Sequence, residues 1–189
     1  MKRSVALILM IVLMFNMTSC TFMFDMIEQN YLKMSAAELT ELSDSKLCEV
    51  LWFRIDYKVE SFEDSLAGFE SLNHYEKVLY TVEYFDMEYL NGGLCQFFVN
   101  SSRVVAPYVS EALRTIGADK HAEMYDSFIS DNRIDLTDLS EFDTDSIDKY
   151  SVLSQKYPFD DFDDAFIKLG LLRPYLEEYI RENLNEFTK

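Results

Sequence analysis

The 189-residue chain has only five glycines and three prolines. A sandwich of strands joined by many tight turns needs both residue types, so the scarcity argues against an all-β fold and against low-complexity linkers. Histidine occurs twice and cysteine three times, which leaves little material for a metal or nucleophile site. Bases are also scarce, 17 against 34 acids, for a formal charge of −17 and a pI near 4.4. A field of that sign repels phosphates and argues against direct nucleic-acid binding. What the chain does have is 49% hydrophobic and 15% aromatic residues, enough for a packed core.

The N-terminus reads as an address. Lys2 and Arg3 precede an uncharged apolar run from Val5 to Phe15. That run is too short to cross a bilayer, which takes roughly 20 residues, but it suits the core of a signal peptide. Met17-Thr18-Ser19-Cys20 resembles a bacterial lipobox. The resemblance implies that Cys20 is acylated and becomes the mature N-terminus; a short membrane anchor with an incidental cysteine is the alternative. The expected organisation is a lipoprotein signal peptide over 1–19, a tether over 20–34 and a helical domain over 35–189. The expected location is the bacterial cell membrane, with the lipid-anchored domain on the extracytoplasmic side. Removing 1–19 takes away Lys2 and Arg3 and no acid, leaving 34 acids, 15 bases and a formal −19. Cys48 and Cys95, each among apolar neighbours, read as buried free thiols, with a disulfide as the alternative.

Hydrophobic spacing predicts helices and no sheet. Ser35-Ala36-Ala37-Glu38 fits a capping box. A helix from about Asp44 to Tyr57 carries Leu47, Val50, Leu51 and Ile55 on one face. Behind Asn73-His74-Tyr75-Glu76, the residues Tyr75, Val78, Leu79, Val82, Phe85 and Tyr89 form a 3.6-residue stripe. This helix is apolar on most sides, as a central bundle helix is. Gly92-Gly93 should interrupt it. Leu94 to Asn100 reads as a second short helix. Pro107 suits a first helical turn and Gly117 a C-cap, and Lys120 to Ile129 reads as a helix. Residues 131–149 read as an acidic loop with one turn of helix near its end. Phe162 to Leu169 and a stripe of Tyr175, Leu176, Tyr179, Ile180, Leu184 and Phe187 complete the chain. The fold class is all-α, a single-domain multi-helix bundle with an acidic surface.

Chemical motifs are sparse. His74 and His121 lack an H-x-x-x-H or C-x-x-C partner, and no phosphate-binding glycine loop or serine nucleophile motif occurs. Around Asp131 and Asp143 the oxygen-donor positions of a calcium loop hold Arg133 and Ile147, so neither is an EF-hand. No metal and no cofactor are expected. Glu83, Asp86 and Glu88 sit on an otherwise apolar helix, where a buried carboxylate can have a raised pKa.

Glu88-Tyr89-Leu90-Asn91-Gly92-Gly93-Leu94-Cys95-Gln96-Phe97-Phe98-Val99-Asn100-Ser101 resembles the E-x-x-N-G-G-x-x-Q-F-F-x-N-S signature of the DNA-mimic-protein family. Its members are acidic, all-helical bacterial proteins. The likeness spans roughly 45–187, with Ser102-Arg103 standing where the family usually has a glycine. In folding terms, Asn91, Gly92 and Gly93 can take left-handed angles, Phe97 and Phe98 enter the core, and Gln96 and Asn100 can bond the turn's backbone. The resemblance implies display of carboxylates in place of DNA phosphates. Carboxylates at i and i+4 on a helix lie about 6 Å apart along the axis, comparable with successive charges on a nucleic-acid strand.

The expected function is therefore non-enzymatic binding of a basic protein, either DNA-binding or toxin-like. The acids expected to carry it are Asp131, Asp135, Asp138, Glu141, Asp143, Asp145, Asp160, Asp161, Asp163 and Asp164, which cluster in polar segments. The alternatives are an enzyme using Glu83, Asp86 or Glu88 beside the Asn91-Gly92-Gly93 turn, and a structural envelope lipoprotein. Polar groups converging on a pocket there would favour the enzyme, and a buried, fully paired turn with acids spread over a convex face would favour binding.

Overall fold

A computed structural model describes residues 29–188; Cys20 and the signal-peptide reading lie outside the described residues. The chain falls into two compact units, residues 1–42 and 43–189. In the first, residues 29–33 are helical and Ser35 opens α1 (Ala36–Thr40). The Ser35 hydroxyl accepts the Glu38 N–H, and the Glu38 carboxylate accepts the Ser35 N–H at 2.7 Å, which completes the capping box. Helix α1 belongs to the first unit, and the second begins at Ser43.

The second unit is all-α. Helix accounts for 77% of the described residues, and no strand occurs among them. The order is α2 (Asp44–Glu60), α3 (Ser65–Glu70), α4 (His74–Val99), a 3₁₀ segment (Ser101–Tyr108), α5 (Val109–Thr115) and α6 (Asp119–Asn132). A short 3₁₀ turn (Ser140–Phe142), α7 (Ile147–Ser154), α8 (Phe159–Phe166) and α9 (Arg173–Glu182) follow.

Local chemistry sets the ends. Asn73 and Glu76 exchange side-chain and backbone bonds at the start of α4, at 3.0 and 2.8 Å. Ser43 caps α2 and Ser146 caps α7. At the end of α5, Gly117 has φ +81°, and the N–H groups of Gly117 and Ala118 return to the carbonyls of Arg114 and Leu113. That pairing satisfies two otherwise orphaned carbonyls.

Helix α4 is central, packed by α2, the 3₁₀ segment, α5, α7, α8 and α9. Phe85 marks the middle of the core, its ring 5.1 Å from Phe97 and 5.7 Å from both Tyr125 and Phe166. Each such buried ring contributes roughly 1.5–3 kcal/mol of transfer free energy.

Two elements differ from expectation. Helix α7 runs through Ser154, beyond the single turn read from sequence. Its Ile147 and Val152 are 86% and 72% exposed, so no buried stripe announces it. In α9, Leu176, Tyr179 and Ile180 are buried, whereas Tyr175 faces solvent.

Candidate functional site

The 88–101 signature folds as a strut. Helix α4 is two helical runs joined across Gly92 (φ −162°) and Gly93 (φ +77°, ψ −177°). Only Gly93 is left-handed. Gly92 is extended, and Asn91 keeps negative φ, so the expectation of left-handed angles at all three is corrected to one. Gln96 and Asn100 do not bond the turn's backbone either. Both donate to the Glu88 carboxylate, at 2.9 and 2.7 Å, which ties the two runs together. The turn's exposed N–H, on Leu94, is taken by Asp163 Oδ1 at 3.0 Å. Tyr89 donates to the Asp163 carbonyl at 2.9 Å. Phe97 and Phe98 are fully buried, as the sequence suggests, and Ser101 opens the 3₁₀ segment.

Asp163 is therefore corrected from surface acid to helix cap. It is half-buried, and burial pushes its pKa up while the Leu94 N–H pulls it down. The other nine candidate acids are exposed. Aromatic contacts pack the segments that carry them against one another, in a region termed the acidic end. Phe142 lies 6.0 Å from Tyr157, Tyr157 lies 5.6 Å from Phe159, and Phe128 of α6 lies 5.4 Å from Phe159.

These nine acids are not equivalent. Asp135 accepts the Thr137 N–H and hydroxyl, Asp138 accepts the Ser140 N–H, and these bonds lower both pKa values. Glu141 pairs with Lys156, Asp143 with Arg103 and Asp145 with Lys149. Asp131, Asp160, Asp161 and Asp164 have no hydrogen-bond or ion-pair partner among the described residues. Asp160 and Asp164 stand at i and i+4 on α8, about 6 Å apart along its axis.

The three candidate acids of α4 separate. Glu88 is committed to the strut. Glu83 and Asp86 line an open cleft of about 670 Å³ between α2, α4 and α9. Arg173 of α9 holds Glu83 with both guanidinium nitrogens, at 2.5 and 3.0 Å, and the Cys48 thiol donates to the same carboxylate at 3.0 Å. Burial, reinforced by Glu83, pushes the Cys48 thiol up, which disfavours the thiolate. Asp86 is 8% exposed and has no hydrogen-bond partner among the described residues. Burial raises its pKa to about 6; Arg173 pulls the value down and Glu83 pushes it up. Sequence reasoning missed Arg173 and Trp52, which complete the cleft from other helices. Arg173 lies 90 residues from its partner, beyond any local pattern.

Cys48 and Cys95 are buried free thiols. Among the described residues no group of three or more His, Cys, Asp or Glu could hold a metal ion, and no helix is long and apolar enough to cross a membrane.

A family model described as DMP19-like protein matches residues 70–183, more than half the chain. The chain belongs to that family. The matched span runs from the end of α3 through α9 and includes the whole strut and the acidic end. DMP19 is a DNA-mimic family, and the DMP19-like family is not a known enzyme family. The α2 wall of the cleft lies outside the matched residues. No curated protein and no solved structure matches the sequence.

Proposed function

We propose that this DMP19-like chain is a non-enzymatic, lipid-anchored binding protein that presents carboxylates to a basic protein outside the cytoplasm. The observation that carries the reading is the exposed acidic end. Four unpartnered aspartates sit there beside five acids whose internal bonds hold them in place. Hydrogen-bonded acids keep fixed positions, and unpartnered ones keep their full charge for an incoming cation. Acylation at Cys20 supplies the anchor. Like-charge repulsion keeps the acidic end off an anionic bilayer and open to solution.

Binding of the full chain to a panel of DNA-binding and cationic proteins tests this. We expect affinity to fall steeply with salt across about 50–200 mM, as screening shortens to roughly 8–10 Å, and duplex DNA to compete. Changing Asp131, Asp160, Asp161 and Asp164 together to Asn should weaken binding at least about tenfold. Salt-indifferent binding, or binding unmoved by the fourfold variant, would overturn the charge-mimic reading. Mass spectrometry of the membrane fraction should find an acylated Cys20. Equal processing and membrane attachment of Cys20→Ser would remove the anchor.

A further inference from the structure

The α2–α4–α9 cleft holds three acids, Glu49, Glu83 and Asp86, against one base, Arg173. Two of the acids are already matched. Glu83 is clamped by Arg173, and Glu49 accepts both bonds from Lys46 at 2.9 Å. Asp86 is the remainder: a residue only 8% exposed, whose carboxylate lines the open cleft with no protein donor among the described residues. An ionised buried acid without a partner costs stability, so its carboxylate is a vacant half of an interaction.

The rest of the lining says what fits. Trp52 offers a ring from α2, and Met87 and Leu90 of α4 are 48% and 53% exposed. An apolar approach ending at a buried carboxylate suits a long aliphatic stem with a cationic head. A planar guanidinium suits it better than a compact ammonium. It stacks on an indole ring, bonds a carboxylate through two parallel N–H groups and sheds water at lower cost. Arg173 does not reserve the site for anions, because its guanidinium is spent on Glu83 and the Cys48 thiol.

We infer that this cleft is a socket for an arginine side chain of the basic partner, with Asp86 as the acceptor of its guanidinium and Trp52 as the stacking wall. The inference rests on the binding reading above and adds a shape-specific anchor to a long-range field. The acidic end would set encounter, and the socket would set residence and register.

Trp52 is the only tryptophan of the chain, so its fluorescence reports the cleft directly. The full chain is titrated with N-acetyl-arginine amide and with the neutral isostere N-acetyl-citrulline amide. The arginine probe should give a saturable change, and the citrulline probe should bind at least about tenfold more weakly. Asp86→Asn removes a buried charge and keeps the side-chain shape, so it should fold and lose that preference. The Asp131, Asp160, Asp161, Asp164 variant should bind the arginine probe as the parent does while losing affinity for basic proteins. Equal binding of the two probes, no saturable change, or an unaltered preference in Asp86→Asn would overturn the socket. If basic proteins still bind with strong salt dependence in that case, the acidic end stands without it. If the socket binds arginine and the fourfold variant still binds basic proteins, the charge-mimic reading fails and the socket stands.

Discussion

Asp160, Asp161 and Asp164 of α8 and the acids of the loop before it face water, whereas Asp163 of α8 and Glu83, Asp86 and Glu88 of α4 face the protein. The outward set is many, exposed and individually cheap: its unpartnered aspartates ionise without a burial cost, and its hydrogen-bonded and ion-paired acids gain little from contacts that water screens. On α4 the inward set has three members within six residues, and each has a distinct fate. Glu83 is paired, Glu88 bonds two amides, and Asp86 has no donor. The difference separates two ways a negative chain can recognise a positive one. A field needs number and exposure, and tolerates the loss of any one member. A socket needs one buried group, and the protein carries its desolvation cost until a ligand arrives.

The strut between the two regions should be most sensitive to change. Gly93 sits at φ +77°, ψ −177°, where a side chain is strained, and an added Cβ would meet Asp163 Oδ2 at 2.0 Å. Gly93→Val therefore combines backbone strain of about 1–3 kcal/mol with displacement of the Asp163 cap, a further 1–3 kcal/mol or so. We expect thermal or urea unfolding to show a loss of at least about 2 kcal/mol. Gly92→Ala should cost less. Gly92 has an ordinary extended φ, and its Cβ would meet the Gln96 side chain, so the substitution disturbs the bond from Gln96 to Glu88 and adds no backbone strain. Equal losses at the two positions would refute the assignment of the strained angle to Gly93.

Asp86 should show the opposite sign. Its pKa is raised from an ordinary 3.8 to about 6. Between those values the folded chain holds a proton that the unfolded chain has released, so stability falls as pH rises through that window. The deficit is complete above pH 6 and amounts to about 3 kcal/mol at most. The charged groups around Asp86 are Arg173 from α9, Glu83 on its own helix, and Glu49 with its partner Lys46 from α2. Asp86→Asn should thus stabilise the domain near pH 8 and have little effect near pH 3. A variant less stable than the parent at pH 8 would show that Asp86 already has a partner when folded.

The sequence exposed the helices because their signals are local. The stripe from Val78 to Tyr89, the capping pairs Ser35–Glu38 and Asn73–Glu76, and Gly117 each lie within a few residues of the structure they specify. Among the candidate residues only the exposed acids were legible, since an acid on a polar segment is exposed wherever the segment goes. The cleft and the cap were not. Asp163 reaches Leu94 across 69 residues, and Arg173 reaches Glu83 across 90. Asp163 reads in sequence like Asp160, Asp161 and Asp164, and only packing turns it inward.

That contrast within one helix yields the smallest expected effect and the sharpest test of the comparison. Asp160 and Asp161 are exposed in the first turn of α8, where the helix dipole favours a carboxylate by about a few tenths of a kcal/mol; Asp164 is exposed in the last turn, where the dipole and Asp160 one turn back oppose it by a similar amount. Changing any one to Asn should therefore move stability by no more than about 0.5 kcal/mol. Asp163→Asn, one position before Asp164, replaces the charged acceptor of the Leu94 N–H and should cost about 1–2 kcal/mol. Unfolding measurements on the four single variants would separate them. Four equal small changes would mean that the Asp163 cap does not hold in solution and that α8 is acidic surface throughout. A large loss at Asp160, Asp161 or Asp164 would mean that the outward set has structural partners of its own, and the division between field and socket would fail at its outer edge.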